Sequence, residues 1–421
     1  MTPAARLSAA IEVLDRIASS RQPADQVLKA WGVANRYAGS GDRRAVADRV
    51  YACLRDGGGQ GREAVLASLA RRDKLAPAEI GALFSGQGYA PATLTAEEMA
   101  RLHALGGGQA PASLPGFIAT QLGRTFGKDA AAEAAALLSG RAPVDLRVNG
   151  LLTDASSLAA DLAESGFASQ PTPFSAFGLR LDVSAARLAA LDAFKAGRFE
   201  VQDEGSQMAS WLLGAQPGQT VVDYCAGGGG KTLAIGQMMQ GRGALVACDL
   251  NPRRLDAIKP RLDRAGLEAD LRRVGPTGDR LEDLVGRADR VLVDAPCSGS
   301  GTWRRRPEEA WRLTEAQLHG LVRTQKEVLH RAAALVRPGG RLAYVTCSVL
   351  AAENTDIAAV FAAEHPGFAP LPAPEAAATP MLTDAGRRRL AELSAGGHTV
   401  QLSPRRTDTD GFFIALFQRT T

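Results

Sequence analysis

Residues 220–232 read Thr220-Val221-Val222-Asp223-Tyr224-Cys225-Ala226-Gly227-Gly228-Gly229-Gly230-Lys231-Thr232. Three of the first four residues are β-branched, as is typical of a buried strand, and the four glycines allow the backbone to turn sharply into a helix. A glycine-rich turn between a strand and a helix is typical of nucleoside-ligand sites in α/β domains. It is not a P-loop, because residue 226 is alanine where that motif requires its first glycine.

Three further apolar runs follow this turn, at residues 244–248, 290–293 and 341–345. Helical patterns separate them: Asn251 is placed as an N-cap before Pro252, and Thr314 and Gln317 have the spacing of a capping box. Alternating strands and helices predict a parallel sheet with helices on both faces. Ligands of such sheets bind beyond the carboxyl ends of the strands, so the residues that follow each strand are the candidates for function.

The chain before residue 201 has different patterns. Apolar residues between Leu7 and Ile17 recur at helical spacing, whereas Val144–Val148 has the composition of a strand between two helical stretches. We expect four segments: a helical domain at 1–75, a linker or irregular helices at 76–114, an α+β module at 115–200 and the α/β domain at 201–421.

Composition limits the classes of protein that the chain can belong to. With 45% hydrophobic and 22% charged residues, the profile is that of a soluble globular protein. The net charge is +4, and 42 of the 49 basic residues are arginine, which permits a nucleic-acid partner without requiring one. No apolar run approaches the roughly 18 residues that a membrane helix needs, and the first helix is too polar for a signal peptide. We expect a cytoplasmic protein with no membrane partner.

The cysteines and histidines exclude two kinds of site. The five cysteines form no C-x-x-C pair and the five histidines are scattered, so a structural zinc site is not predicted. An odd number of widely spaced cysteines also argues against a disulfide framework. We expect no metal and reduced thiols, and since no feature indicates an oligomer, we expect a monomer.

The second strand ends at an acidic residue. Asp249 follows Asp223 by 26 positions and is placed to accept hydrogen bonds from ribose hydroxyls, or to cap the helix that begins after Asn251. Asp279 is a second candidate, for contact with an adenine. A nicotinamide dinucleotide is disfavoured, because Thr232 occupies the position of the last glycine in G-x-G-x-x-G.

The third and fourth strands each run into a cysteine. These turns read Asp294-Ala295-Pro296-Cys297-Ser298-Gly299-Ser300-Gly301 and Thr346-Cys347-Ser348. A single cysteine is more often a small buried apolar residue than a catalyst, but here two lie at the ends of neighbouring strands, each followed by serine. A thiolate that adds to C6 of cytosine makes C5 nucleophilic, and an acid near N3 stabilises the charge that builds up. Methylation of a cytosine at C5 would therefore explain these residue types.

With these motifs the chain resembles the RNA cytosine-C5 methyltransferases of the NOL1/NOP2/Sun family, and within it the bacterial members that modify small-subunit ribosomal RNA. The likeness covers nearly all of residues 115–421 and includes Arg147-Val148-Asn149, the run from Val201 to Ser206, and Asp410-Gly411-Phe412-Phe413-Ile414-Ala415. It implies a Rossmann-like S-adenosyl-L-methionine methyltransferase domain at 201–421 and an RNA-binding module at 115–200. Residues 1–75 resemble a NusB-like RNA-binding domain, with a plain helical bundle as the alternative.

The resemblance also implies the role of each site residue. Cys347 would be the nucleophile, Cys297 would help to release the product, and Asp294 would contact the cytosine. The residues that would line the S-adenosyl-L-methionine site are Cys225, Ala226, Gly227, Gly228, Gly229, Gly230, Lys231, Asp249, Asp279 and Asp294. The family turn usually reads Cys-Ala-Ala-Pro-Gly-Gly-Lys, and here glycines replace its second alanine and its proline. We expect this change to weaken cofactor binding at most.

Three other functions are compatible with parts of the sequence. A DNA cytosine-C5 methyltransferase would use Cys297 as its nucleophile and would not need Cys347. A tRNA-modifying member of the same family shares the whole site. An inactive RNA-binding ribosome-assembly factor would fit the altered glycine turn. After the Cys297 turn, Trp303, Trp311 and the arginines at 304–306 are candidates for RNA contacts, or for core and solvated surface.

Overall fold

The computed structural model describes residues 1–20, 22–57, 61–105, 114–182, 185–275 and 280–421. They form two compact units. The helical unit comprises Met1–Thr120, Leu138–Gly140 and Trp303–Leu313, and the sheet unit comprises Gln121–Leu137, Arg141–Thr302 and Thr314–Thr421. The segment Trp303–Leu313 thus packs with the amino-terminal helices, although it lies within the range that we expected to form the α/β domain.

The amino-terminal part of the helical unit is a bundle. Its helices are α1 (Pro3–Ser19), α2 (Ala24–Ala34), α3 (Ser40–Arg55), α4 (Gly61–Arg71), α5 (Pro77–Leu83) and α6 (Ala96–Leu105). The Thr2 side chain caps α1 by accepting a hydrogen bond from the Ala5 N–H. Ile80 and Leu102 are buried in the same core as Val13 and Val50. Helices α5 and α6, within the predicted linker, are therefore part of the bundle.

The next part of the chain forms a small antiparallel sheet with helices. Its elements are α7 (Gly116–Phe126), α8 (Ala130–Leu138), β1 (Val144–Val148), α9 (Ala155–Glu164), β2 (Gln170–Pro171), β3 (Gly178–Leu181), α10 (Ala185–Leu188), α11 (Asp192–Lys195) and β4 (Phe199–Val201). The strand order is β2-β3-β1-β4. Asp154 caps α9 through the Ser157 N–H, and Leu146, Leu158 and Phe199 share one core. The strand predicted at Val144–Val148 has these bounds in the structure.

The rest of the chain alternates strands and helices. Its elements are α12 (Glu204–Trp211), β5 (Thr220–Asp223), α13 (Gly230–Met238), β6 (Ala244–Asp249), α14 (Pro252–Asp256), α15 (Lys259–Ala265), β7 (Asp270–Arg273), β8 (Ala288–Asp294), α16 (Glu308–Arg312), α17 (Glu315–Ala333), β9 (Val336–Thr346), α18 (Thr355–Glu364), β10 (Phe368–Pro370), α19 (Ala373–Ala376), α20 (Asp384–Ser394), β11 (Thr399–Gln401), α21 (Pro404–Thr407) and β12 (Phe413–Arg419). Short 3₁₀ turns lie at Gly127–Asp129, Glu282–Leu284, Ser300–Thr302 and Ala351–Glu353.

These strands build one sheet in the order β10-β12-β9-β8-β5-β6-β7, with β11 beside β12. The strands from β9 to β7 in this order are parallel, and β12 runs antiparallel to β9. The four predicted strands and the predicted α/β class are confirmed. Asn251 caps α14, and Thr314 and Gln317 form the predicted capping box at α17.

The sheet brings the motif turns to one edge. Because β5, β6, β8 and β9 are parallel neighbours, their carboxyl ends lie together. Phe413 at the start of β12 pairs with Thr346 at the end of β9, so the residues before Phe413 reach the same edge. In the described part of the chain, no helix has the length and apolar composition needed to cross a membrane.

The segment Trp303–Leu313 is held by backbone groups of the helical bundle. The Trp311 indole N–H donates to the Leu54 carbonyl at 2.7 Å, and the Ala24 N–H donates to Glu308 Oε1 at 2.9 Å. The Arg312 guanidinium donates to the Ile17 carbonyl at 2.6 Å, and Trp303 is fully buried. The two tryptophans therefore have packing roles, which excludes Trp303 as a base-stacking surface.

Candidate active site

The glycine turn after β5 depends on backbone conformations that glycine favours. Gly227 has φ 57° and Gly229 has φ 82°, both in the left-handed region. A Cβ atom on Gly229 would also lie 2.9 Å from the Ile258 side chain. The turn therefore needs glycine at position 229 for two reasons, and it leads directly into α13.

Three side chains hold this turn from outside. Asp249 Oδ2 accepts a hydrogen bond from the Gly227 N–H at 2.9 Å, and Arg147 Nη1 donates to the Gly230 carbonyl at 3.0 Å. Arg261 donates to the Gly228 carbonyl and forms an ion pair with Glu200 at 2.9 Å. The turn without its proline is thus fixed by two arginines and a carboxylate.

Asp223, at the end of β5, has one oxygen occupied and one available. The Thr232 hydroxyl donates to its Oδ2 at 2.7 Å, whereas the buried Oδ1 has no hydrogen-bond partner among the described residues. Burial raises the pKa of Asp223 to about 7, against the opposing effect of the Thr232 hydrogen bond. A buried acceptor left open beside a glycine turn fits a ligand that carries a polar donor.

Asp249 makes one of the two contacts expected from its position, the cap of the following helix. Its Oδ1 accepts from the Asn251 N–H at 2.8 Å, so it fixes the start of α14 as well as the glycine turn. Each carboxylate oxygen has a second lone pair, so Asp249 remains able to accept hydrogen bonds from a ligand. Its helix-capping contact is present in the structure, and its role toward a ribose stays a prediction.

Lys231 and Asp294 form a buried ion pair at the same edge. Lys231 Nζ lies 2.7 Å from Asp294 Oδ2, and its side chain is 9% exposed. Burial lowers the pKa of Lys231, but the Asp294 carboxylate outweighs this effect and raises the pKa above its usual value. The ammonium also lies 5.0 Å from the centre of the Phe412 ring. The pair therefore presents a permanent cation beside a carboxylate that is partly open to solvent.

Cys297 and Cys347 are in contact. Their Sγ atoms lie 3.3 Å apart, within hydrogen-bonding distance for sulfur, and the Gly301 N–H donates to the Cys347 carbonyl at 2.9 Å. The hydrogen bond with Cys347, together with burial, raises the pKa of Cys297 well above its usual value. Cys347 also contributes to the electrostatic environment of Lys231. The two thiols and the ion pair thus belong to one site.

The structure accounts for the predicted site residues unequally. It brings together the glycine turn, Lys231, Asp294 and both cysteines, whereas Asp279 lies outside the described residues. Cys225 is half-buried, and burial raises the pKa of its thiol well above the usual value. Among the described residues, no group of three or more histidine, cysteine or acidic side chains is placed to hold a metal ion.

Three neighbours of the site were not predicted. Thr232 and Phe412 were quoted only as parts of motifs, although they contact Asp223 and Lys231. Glu353 is absent from the residues that the sequence predicts for the site, and its carboxylate binds the serines that follow the two cysteines. The one signal in the sequence was the repeated Cys-Ser dipeptide, which suggests a common partner for the two hydroxyls.

Comparison with known proteins shows the family of the chain and the fold that it shares. Residues 210–418 match the family model described as 16S rRNA methyltransferase RsmB/F. A Synechocystis protein named probable ribosomal RNA small subunit methyltransferase B is 31% identical over 313 residues, 73% of this chain and 67% of that protein. The crystal structure of PH0851 has a TM-score of 0.75 at 23% identity and covers 100% of this chain and 99% of its own. The structure of NSun6 from Pyrococcus horikoshii with SFG has a TM-score of 0.59 at 20% identity and covers 73% and 98%.

The two solved structures share the fold of this chain. Because their sequences are only 23% and 20% identical to it, they show nothing beyond the fold. The family model covers the sheet that carries both cysteines, and the Synechocystis relative extends the similarity over most of the chain. The expected family is confirmed by these matches. The chain therefore belongs to the RsmB/F group of the NOL1/NOP2/Sun methyltransferase family.

Proposed function

We propose that this protein methylates C5 of a cytosine in RNA, with S-adenosyl-L-methionine as the methyl donor and Cys347 as the attacking thiolate. The observation that carries the proposal is the 3.3 Å contact between the Cys297 and Cys347 sulfurs, beside the Lys231–Asp294 pair. Two thiols, a carboxylate and a cation are the groups that addition to a pyrimidine ring and the later elimination require.

Cys347 is the better candidate for the nucleophile. Because the contact with Cys347 raises the pKa of Cys297, the Cys297 thiol keeps its proton and is able to donate it toward the Cys347 sulfur. A Cys347 thiolate would then form a bond to C6, and the electrons of the C5–C6 double bond would shift into the ring and make C5 nucleophilic. This division of roles leaves Cys297 free to act in product release.

Lys231 would stabilise the ring during addition, and Asp294 would position it. We assign Asp294 to the N3 side of the cytosine, where its carboxylate is 30% exposed, and Lys231 to the negative charge that addition builds up. In the release step the C5 proton passes to a base, its bonding electrons re-form the C5–C6 double bond, and Cys347 leaves as a thiolate. Cys297, in contact with the departing sulfur, would protonate it.

The residues around the glycine turn fit the proposed cofactor. S-adenosyl-L-methionine would supply an electrophilic methyl group, and residues 225–231 would hold it. Asp249 has free lone pairs for ribose hydroxyls, and the open Oδ1 of Asp223 suits an amino group. The solved structure of NSun6 with SFG, an S-adenosyl-L-methionine analogue, has the same fold and supports the proposal.

The names of the family model and of the Synechocystis relative favour ribosomal RNA of the small subunit as the substrate. The base has to leave its stack to reach a buried thiol, which single-stranded or flipped nucleotides do readily. A tRNA substrate and an inactive assembly factor are the competing outcomes of the test below.

The decisive experiment gives the purified protein methyl-labelled S-adenosyl-L-methionine and unmodified 16S ribosomal RNA, followed by digestion to nucleosides. We expect label in 5-methylcytidine, and none with the Cys347→Ala variant. Label in another nucleoside would contradict the proposed reaction. Cofactor binding without label in this RNA would favour tRNA or an assembled particle, and absence of cofactor binding would favour the assembly factor.

A further inference from the structure

Glu353 lies in the 3₁₀ turn Ala351–Glu353, six residues after Cys347, and is fully buried. Burying a carboxylate is costly unless its oxygens are paired. Among the described residues, no lysine or arginine forms an ion pair with it, so hydrogen bonds alone stabilise this carboxylate.

Four donors converge on the two oxygens of Glu353. Oε1 accepts from the Ser298 N–H at 2.8 Å and from Gln325 Nε2 at 3.0 Å. Oε2 accepts from the hydroxyls of Ser298 and Ser348 at 2.5 and 2.6 Å. Four donors and no acceptor form the environment of an ionised carboxylate, which accepts hydrogen bonds only.

The two serines are the residues that follow the two cysteines. Cys297 and Cys347 come from turns after different strands, β8 and β9, and are 50 positions apart in the chain. One carboxylate thus joins the residue after each thiol. A shift of either turn would break a charge-assisted hydrogen bond, and such bonds are about twice as strong as neutral ones.

The residue after Glu353 holds the Cys347 turn from its other side. Asn354 Oδ1 accepts from the Thr346 hydroxyl at 2.6 Å, and its amide donates to the Ser348 carbonyl at 2.9 Å. Residues on both sides of Cys347 are therefore fixed by the same short turn. The Glu353 backbone is anchored in addition by the Tyr344 hydroxyl, which donates to its carbonyl at 2.7 Å.

We propose that Glu353 is a positioning residue that holds the Cys297 and Cys347 sulfurs in contact by binding the serine after each. The proposal rests on the proposed function only for its catalytic consequence, since the contact itself is a property of the protein without RNA. The negative charge has a second effect. After the hydrogen bond to Cys347, burial and the charge of Cys347, the charge of Glu353 also raises the pKa of Cys297.

The test measures both thiols one at a time. Wild-type protein and the Glu353→Gln and Glu353→Ala variants are alkylated with iodoacetamide between pH 6 and pH 10, and each cysteine is quantified by mass spectrometry. We expect Glu353→Gln to shift Cys297 alkylation to lower pH, because the charge is lost while the shape is kept. Glu353→Ala should in addition slow closure of a Cys297–Cys347 disulfide by diamide, which takes up the two thiol hydrogens.

The matched control is Glu204→Gln. Glu204 is equally buried in the sheet unit and accepts two hydrogen bonds from backbone N–H groups, at Phe174 and Ser175. It should lose comparable stability without shifting the alkylation profile of Cys297. An equal shift in both Gln variants, or no shift in either, would refute the positioning role even if Glu353→Ala failed to fold.

The catalytic consequence is read separately. In the labelled methylation assay we expect Glu353→Gln to lower kcat by at least about tenfold with little change in the KM for S-adenosyl-L-methionine, because misplaced reacting groups slow chemistry more than binding. If the Glu353 variants alter the alkylation profile but the wild-type protein has no methyltransferase activity, the positioning role of Glu353 stands and the proposed function is refuted. If instead the thiol profile were unaltered in the variants of an enzyme that methylates RNA, the positioning role of Glu353 would be refuted and the proposed function would stand.

Discussion

Lys231 Nζ and Asp294 Oδ2 meet at 2.7 Å, and these residues come from the helix after β5 and from the end of β8. The contact connects the glycine turn to the turn that carries Cys297. Because the lysine is 9% exposed and the aspartate 30% exposed, the ammonium is shielded from solvent whereas part of the carboxylate is accessible. A ligand that reaches the carboxylate therefore meets the ammonium as well.

Replacing Lys231 with methionine should reduce methyl transfer strongly. The variant keeps most of the length and the apolar stem of the side chain but removes the charge that offsets Asp294, and loss of one preorganised electrostatic group costs about 10²–10³-fold in kcat. Single-turnover methylation of the RNA measures this effect. Lys259→Met, on an exposed lysine that forms an ion pair with Asp263, is the control and should behave as wild type.

The two cysteines should differ in covalent trapping. Cys297→Ala should accumulate an RNA–protein adduct that survives denaturation, because the Cys347–C6 bond forms but is released slowly. Cys347→Ala should give no adduct. Denaturing gel electrophoresis with labelled RNA measures both, and an adduct in the Cys347→Ala variant alone would reverse the assignment of the nucleophile.

Proline at position 228 should strengthen cofactor binding. Gly228 does not have the positive φ of its two neighbours, Gly227 and Gly229, which would exclude proline at this position. A compatible proline contributes about 0.4–1 kcal/mol by restricting the unfolded chain and the free turn, which corresponds to roughly two- to fivefold in Kd. Calorimetry with S-adenosyl-L-methionine measures it, and Gly227→Pro, at φ 57°, should instead weaken binding.

Arg261→Ala should weaken cofactor binding, since Arg261 holds the Gly228 carbonyl and is itself held by Glu200. If the arginine compensates for the missing proline, the loss should be smaller in a chain that already carries Gly228→Pro. A double-mutant cycle by calorimetry measures this coupling. Strictly additive effects would show that the arginine and the residue at position 228 act independently.

Asp223 should make stability depend on pH. Its pKa is about 7 in the folded protein against 3.8 as the ordinary value, so the unfolded chain ionises first and the free energy of unfolding falls as pH rises from about 4 to about 7. Asp223→Asn removes this fall, which amounts to at most about 4 kcal/mol. Urea unfolding across this range measures it, and Asp256→Asn, on an exposed residue, should follow the wild-type curve.

The sequence correctly predicted features that depend on residues close together in the chain. The caps at Asn251 and Thr314 and the strand at Val144–Val148 were correct because capping and β-branched composition act within a few residues. The role of Glu353 was beyond such reasoning, since its partner Ser298 is 55 positions away and buried contacts of that range leave no periodic pattern.

For the site, the sequence predicted which turns lie together but not the contacts between their side chains. Parallel strands bring their carboxyl ends together, which placed the two cysteines at one edge, but their 3.3 Å contact depends on side-chain packing. The role of Asp249 is one that the sequence left open. Its position is compatible with helix capping or with ligand binding, and its carboxylate has enough lone pairs for both.

The placement of Trp303–Leu313 bears on how such a protein can be divided. This segment begins six residues after Cys297 yet belongs to the helical unit, and its Trp303 is fully buried. A chain shortened to start at residue 121 would leave the Trp311 N–H without the Leu54 carbonyl and Arg312 without the Ile17 carbonyl. The helical unit is therefore discontinuous in the chain, and a cut at residue 121 would divide it by separating Trp303–Leu313 from the amino-terminal helices.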